Sequence, residues 1–116
     1  ALARLVSGNG YVQKGNRVIR IVTDDLGKPK ARFSDGSDSD FATLTLSHSN
    51  GLAMASAAAS KAFRGIGVDI EKVEERSLSW ANDYFSDSEI ELANSSGDLS
   101  RCLTQMWSLK EASLKA

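Results

Sequence analysis

The spacing of apolar residues changes along the chain, and this change limits the fold more than any other feature. Up to about residue 71, short runs that are β-branched or alternate between apolar and polar residues predict strands, at 17–23, 43–49, 52–59 and 65–71. From Ser77 onward the apolar residues follow the helical period, which predicts helices over 77–84, 86–94 and from 98 to the end. The sequence therefore predicts an α+β fold, an antiparallel sheet with helices packed on one side.

Turn and cap signals mark the boundaries of these elements. Asn50–Gly51 between two strands predicts a tight hairpin, and Ser86 with Glu89 three residues later is typical of a capping box. Gly97 is expected to end that helix. Three further expectations are a turn over 24–33, a mobile loop over 34–40, and the end of a helix in 1–6, near Gly8 and Gly10.

Composition limits the size of the fold and the kinds of partner. The chain has 116 residues, of which 41% are hydrophobic and 25% charged, so we expect a single globular domain over 1–116. The net charge of −1 and the lack of a basic run favour neither nucleic acid nor a membrane as partner. The first residue is not methionine and the last helix has no stop signal, so we expect a fragment truncated at both ends.

The single cysteine and the single histidine narrow the chemistry further. Cys102 cannot form an internal disulfide, which favours a reducing, cytoplasmic setting. Cys102 and His48 lie far apart in sequence and do not indicate a zinc cluster or a thiol nucleophile with its base. On its own, His48 is equally well explained as a residue at the end of a strand.

Two carboxylates stand two residues apart in the apolar run GIGVDIEKVEER at 65–76. In a strand, Asp69 and Glu71 would share one face with Gly67, which leaves room for a ligand. This face could simply meet solvent, as most polar strand faces do. It could also bind a hard divalent cation such as Mg²⁺, which prefers oxygen ligands. The pair by itself leaves both interpretations open.

The last helix places charged residues at regular intervals. Trp107, Glu111 and Lys115 are spaced by four and share a face, while Lys110 lies about a quarter turn away. Spacing alone favours a surface ion pair between Glu111 and Lys115, with Trp107 in the core. Lys28 and Pro29 alone would be a simple turn.

Four motifs in order give a more specific interpretation. They are LGKP at 26–29, LSHS at 46–49, GVDIE at 67–71 and WSLKEASLKA at 107–116. The chain resembles the 4'-phosphopantetheinyl transferases of the larger, surfactin-synthetase-activating type, because these motifs occur in the same order in that family. The resemblance extends over the whole chain. The interval of 40 residues between Glu71 and Glu111 also fits that family. The resemblance implies a pseudo-dimer of two α/β halves, of which this chain holds one half and part of the other.

The resemblance implies a role for each matching residue. Asp69, Glu71 and Glu111 resemble the ligands of Mg²⁺, and Glu111 also resembles the base that activates the nucleophile, directly or through water. Lys115 would stabilise or protonate the departing 3',5'-ADP. The residues that would hold coenzyme A are Lys28, Ser47, His48, Lys110 and Lys115.

The implied reaction is the Mg²⁺-dependent transfer of the 4'-phosphopantetheine group from coenzyme A to a serine of an acyl or peptidyl carrier protein. The partners implied are coenzyme A, the carrier protein, and an oligomer or a complementing second half. Two alternatives remain open. One is a module that binds coenzyme A or a carrier protein without turnover, and the other is a different Mg²⁺-dependent enzyme that acts on a nucleotide.

Overall fold

The strands of this protein form two antiparallel sheets. The structure is a computed structural model that describes residues 11–14, 17–37 and 41–116. One sheet has three strands, β1 (Tyr11–Lys14), β2 (Arg17–Thr23) and β3 (Pro29–Phe33). The other is a hairpin of β4 (Ala42–Ser49) and β5 (Leu52–Ala59). With the three helices that follow, this confirms the predicted α+β class, although two sheets stand where one was expected.

The turn between β2 and β3 is shorter than the sequence predicted. The Asp24 carboxylate Oδ1 accepts the amides of Leu26 and Lys28, at 3.0 and 2.8 Å, and closes the turn within five residues. Pro29 then pairs with Thr23, so 29–33 is a strand and the predicted turn over 24–33 is wrong in its second half. Proline is tolerated there because it is the first residue of an edge strand.

The predicted hairpin of β4 and β5 is confirmed. Asn50 and Gly51 both have positive φ, at 55° and 79°, which is the type I′ geometry that matches the twist of the strands. Ser49 pairs with Leu52 at the turn, and Ala42 pairs with Ala59 at the far end. β4 therefore keeps one register along its whole length, with alternate residues on opposite faces.

Three helices follow, each begun by a side-chain cap. They are α1 (Leu78–Tyr84), α2 (Asp87–Ser95) and α3 (Leu99–Lys115). Their caps are Ser77, Ser86 and Asp98, whose side chains accept amides of the first turn. Ser86 and Glu89 form the predicted capping box, and Gly97, with φ 80°, lies between α2 and α3.

The helices have their own apolar core. Ala81, Phe85, Ala93 and Leu103 are buried together, and Trp107 packs against them as predicted. In the sheet of β1 to β3, Ile19 and Ala31 are the buried apolar residues among the side chains that the structure describes. The described structure thus has one apolar cluster in the helices and separate buried residues in the strands.

Two of the sequence predictions concern residues that the structure does not describe, and a third is wrong. The predicted helix end in 1–6 and residues 38–40 of the predicted loop lie outside the described residues. No described helix is long and apolar enough to cross a membrane. The predicted strand over 65–71 is wrong, because residues 65–77 contain no strand.

Candidate functional site

The segment Gly65–Glu71, here called the carboxylate segment, is held by side chains of β4 instead of by a backbone ladder. The Val68 amide donates to Thr45 Oγ1 at 3.2 Å, and the Ile70 amide donates to Ser47 Oγ at 3.3 Å. Because strand side chains project from the faces of a sheet, the segment passes over one face of the hairpin and not along its edge. This is why the alternating pattern did not produce a strand.

Two glycines let the carboxylate segment approach the end of α3. A Cβ at Gly65 would overlap the carbonyl oxygen of Ala116, and a Cβ at Gly67 would overlap that of Ala112. The space beside Gly67 is therefore filled by the backbone of α3, and the expectation that it is left for a ligand is wrong. The close approach brings Asp69 and Lys115 within contact distance.

Asp69 lies at the meeting point of the three elements. Its Oδ1 accepts hydrogen bonds from Ser47 Oγ at 2.8 Å and from Lys115 Nζ at 2.7 Å. Lys115 Nζ also donates to Ser47 Oγ at 3.2 Å, which closes a triangle. The Asp69 side chain is only 4% exposed. We call Ser47, Asp69 and Lys115 the junction cluster.

The electrostatics of the junction cluster keep Asp69 ionised. Burial raises the pKa of Asp69, but the hydrogen bonds from Lys115 and Ser47, the nearby hydroxyl of Ser108 and the charge of Lys115 outweigh burial and hold the pKa below its ordinary value of 3.8. Ser108 was not singled out from the sequence, although it lies within the WSLKE motif.

One oxygen of Asp69 is left open. Asp69 Oδ2 is buried and has no hydrogen-bond partner among the described residues. A buried, ionised carboxylate oxygen without a partner is costly unless something else satisfies it. A hard divalent cation is such a group, so Asp69 fits the role of an Mg²⁺ ligand.

The other two predicted metal ligands lie on different elements: Glu71 is in the carboxylate segment, and Glu111 is in α3. Glu71 follows Asp69 by two residues, Glu111 lies one helical turn before Lys115, and both are half-buried. Within residues 11–14, 17–37 and 41–116, however, no group of three or more His, Cys, Asp or Glu side chains is arranged to hold a metal ion. The three-carboxylate site remains a prediction.

Lys110 lies apart from the junction cluster. Its Nζ donates to Glu89 Oε2 and to the carbonyl of Tyr84, both at 2.9 Å, and stands 4.7 Å from the ring centroid of Phe85. These contacts join α3 to α1 and α2. Its predicted part in holding a phosphate of coenzyme A remains a prediction.

Ser47 and His48 occupy opposite faces of β4. Ser47 is buried beneath the carboxylate segment, whereas His48 is exposed and pairs in register with Ala53. The structure does not bring the two side chains of the SHS motif together, because neighbouring strand residues project to opposite sides.

Lys28 lines a groove beside the hairpin. The groove has a volume of about 390 Å³ and is bordered by β3, β4 and residues that follow β5. Two further cations, Lys30 and Arg64, line it together with the hydroxyls of Thr43 and Ser60. Sequence reasoning missed Lys30 and Arg64, although Lys30 is two residues from Lys28 and Arg64 directly precedes the carboxylate segment.

Comparison with known proteins locates a family match in the part of the chain that holds most of the junction cluster. Residues 65–116 match the family model described as the 4'-phosphopantetheinyl transferase superfamily. No curated protein and no solved structure matched the chain. The match covers somewhat less than half of the chain, whereas the resemblance in the four motifs extends over its whole length. It includes Asp69 and Lys115, so the segment from Gly65 to Ala116 is similar to the 4'-phosphopantetheinyl transferase superfamily.

Proposed function

We propose that this protein transfers the 4'-phosphopantetheine group of coenzyme A to a serine hydroxyl of an acyl or peptidyl carrier protein, in a Mg²⁺-dependent reaction. The family match supports phosphopantetheine transfer in general. The observation that carries the proposal is Asp69, a buried carboxylate held below its ordinary pKa with one oxygen unpartnered. Its neighbour Lys115 supplies a cation at the same point.

In this proposal Asp69, Glu71 and Glu111 hold the metal. Mg²⁺, when bound, withdraws negative charge from the diphosphate of coenzyme A and so favours attack at phosphorus. Asp69 suits this task because it remains ionised although almost fully buried. Glu71 and Glu111 are half-buried, which leaves each within reach of solvent and of a ligand.

The groove beside the hairpin is proposed to hold phosphate groups of coenzyme A. Lys28, Lys30 and Arg64 supply three positive charges, and the hydroxyl of Ser60, which accepts a hydrogen bond from Thr43, can donate one to a phosphate. Asp24 also lines the groove, but its carboxylate accepts two turn amides and pairs with Lys30 at 3.3 Å. Its negative charge is thereby partly offset.

The transfer step forms one P–O bond and breaks another. The serine oxygen of the carrier protein bonds to the phosphorus that bears pantetheine, the bond from that phosphorus to the bridging oxygen breaks, and 3',5'-ADP leaves. Glu111 is proposed to accept the serine proton. Lys115, one turn further along α3, is proposed to stabilise the charge on the leaving phosphate.

The intact mass of an apo carrier protein, measured after incubation with this chain, coenzyme A and Mg²⁺, tests the proposal. We expect a gain of one phosphopantetheine that disappears when a chelator is added. Glu111→Gln should abolish the gain while coenzyme A still binds, and Glu91→Gln, on the exposed side of α2, serves as the matched control. A Glu111→Gln variant as active as the control would contradict the assigned role.

A second candidate function is a module that binds coenzyme A or a carrier protein without turnover. Two observations favour it: the described residues contain no assembled group of three metal-ligating side chains, and Lys115 already pairs with Asp69. Calorimetry that shows coenzyme A binding, together with no mass gain on any carrier protein tested, would support this candidate over the enzyme.

A further inference from the structure

The Ser47 hydroxyl has no hydrogen-bonding capacity left for a ligand. A serine hydroxyl has one proton to donate and two lone pairs to accept. The proton goes to Asp69 Oδ1, and the lone pairs face the Ile70 amide at 3.3 Å and Lys115 Nζ at 3.2 Å. A phosphate oxygen only accepts hydrogen bonds, so it would compete with Asp69 for the single proton of this buried side chain.

Thr45 and Ser47 together set the register of the carboxylate segment. Both are buried on the same face of β4, and they accept the amides of Val68 and Ile70. Two acceptors spaced by two residues therefore match two amides spaced by two residues. A shift of the segment by one residue would break both bonds and move Asp69 away from Ser47.

Ser47 differs from Thr45 because it also contacts the carboxylate itself. Ser47 and Lys115 both donate to Oδ1, which fixes the orientation of the carboxylate and leaves Oδ2 as the open oxygen. Groups that orient a metal ligand in this way commonly change metal affinity when they are removed.

We infer that Ser47 is a positioning residue, which holds Asp69 and the carboxylate segment in place, and not a ligand of the coenzyme A phosphates. The inference deepens the proposed function, because the metal-binding role of Asp69 rests on that function. The resemblance implied that Ser47 of the SHS motif holds coenzyme A, whereas in this inference Ser47 supports the metal-binding part of the site.

The test compares Ser47→Ala with Ser49→Ala. Ser49 lies on the same strand, in the same motif and on the same face of β4, but its side chain makes no hydrogen bond that the described part of the structure shows. Three properties of the full chain are measured: Mn²⁺ affinity by electron paramagnetic resonance, coenzyme A affinity by calorimetry in chelator, and amide hydrogen exchange by NMR.

We expect Ser47→Ala to weaken Mn²⁺ binding about 10-fold or more, as removal of an orienting group typically does. Exchange of the Ile70 amide should speed up, while coenzyme A affinity in chelator stays within about twofold of that of Ser49→Ala. The opposite result, weakened coenzyme A binding with unchanged Mn²⁺ affinity and unchanged Ile70 exchange, would overturn the inference. If Ser47→Ala does not fold, Ser47→Cys replaces it, with the same expected directions.

The experiment distinguishes failure of the proposed metal binding from failure of the positioning role of Ser47. A wild-type chain that binds no Mn²⁺ would count against the metal-binding part of the proposed function. The positioning role is then decided by hydrogen exchange alone, since faster exchange of Ile70 in Ser47→Ala supports it and unchanged exchange overturns it.

Discussion

At the scale of single residues, small side chains and short distances set the geometry of the junction cluster. Gly65 and Gly67 have no Cβ, and this absence lets the carboxylate segment lie directly against the carbonyls of Ala116 and Ala112. Any larger residue would push α3 away from the segment. Lys115, in the last turn of α3, lies 2.7 Å from Asp69 Oδ1 through its Nζ.

Gly67→Ala should destabilise the chain by about 1–3 kcal/mol, because the new methyl group would overlap backbone atoms that cannot move alone. Denaturant unfolding measures this loss, and hydrogen exchange of the Lys115 and Ala116 amides locates it. Gly27→Ala is the control: its Cβ would meet open space, so only the strain of a positive φ of 79° remains. Unchanged exchange at Lys115 and Ala116 in Gly67→Ala would contradict this explanation.

At the scale of the elements, Glu89 connects the start of α2 to α3. Its Oε2 accepts the Ser86 amide at 2.8 Å and the ammonium of Lys110 at 2.9 Å. The hydrogen bond from the Ser86 backbone and that from Lys110 lower the pKa of Glu89 from its ordinary value of 4.5. One carboxylate thus completes a helix cap and joins two helices.

Glu89→Gln should make the chain less stable at pH 7, and the difference from wild type should shrink in acid. A carboxyl group with a lowered pKa contributes stability that is fully present above its unfolded pKa, near 4.5, and is lost as the pH falls through the lower native pKa. Urea unfolding at pH 7, 5 and 3 measures the difference. Glu91→Gln, at an exposed position of the same helix, is the control, and equal behaviour of both variants would refute the prediction.

At the scale of the whole molecule, the described structure is elongated, with principal extents of 54 × 28 × 27 Å. The buried apolar cluster belongs to the helices, and the carboxylate segment and Lys115 link the helices to the hairpin. The stability of the helical part should therefore depend mainly on its own cluster.

Leu103→Ala should destabilise the helices by about 2–5 kcal/mol, because Leu103 is 1% exposed and its loss leaves a cavity. Tryptophan fluorescence follows this change, since both Trp80 and Trp107 pack against the cluster. Leu109→Ala on the same helix is the control, because Leu109 is 68% exposed and its loss should change stability by less than about 0.5 kcal/mol. Equal unfolding midpoints for the two variants would contradict the assigned core.

The sequence by itself determined the local features of this protein. The Asn50–Gly51 turn, the Ser86–Glu89 capping box and the face of α3 that carries Lys115 could all be predicted, because each depends on residues at most four apart. The motifs at 67–71 and 107–116 also led to the family that residues 65–116 match.

Only the tertiary structure decided how these features combine. The pattern over 65–71 could not show that Thr45 and Ser47 hydroxyls would replace a neighbouring strand, so the predicted strand was wrong. Helical spacing could not show that Lys110 would bind Glu89. The physical reason is the same in both cases: periodicity fixes which face a side chain occupies, whereas long-range packing selects the partner that the face meets.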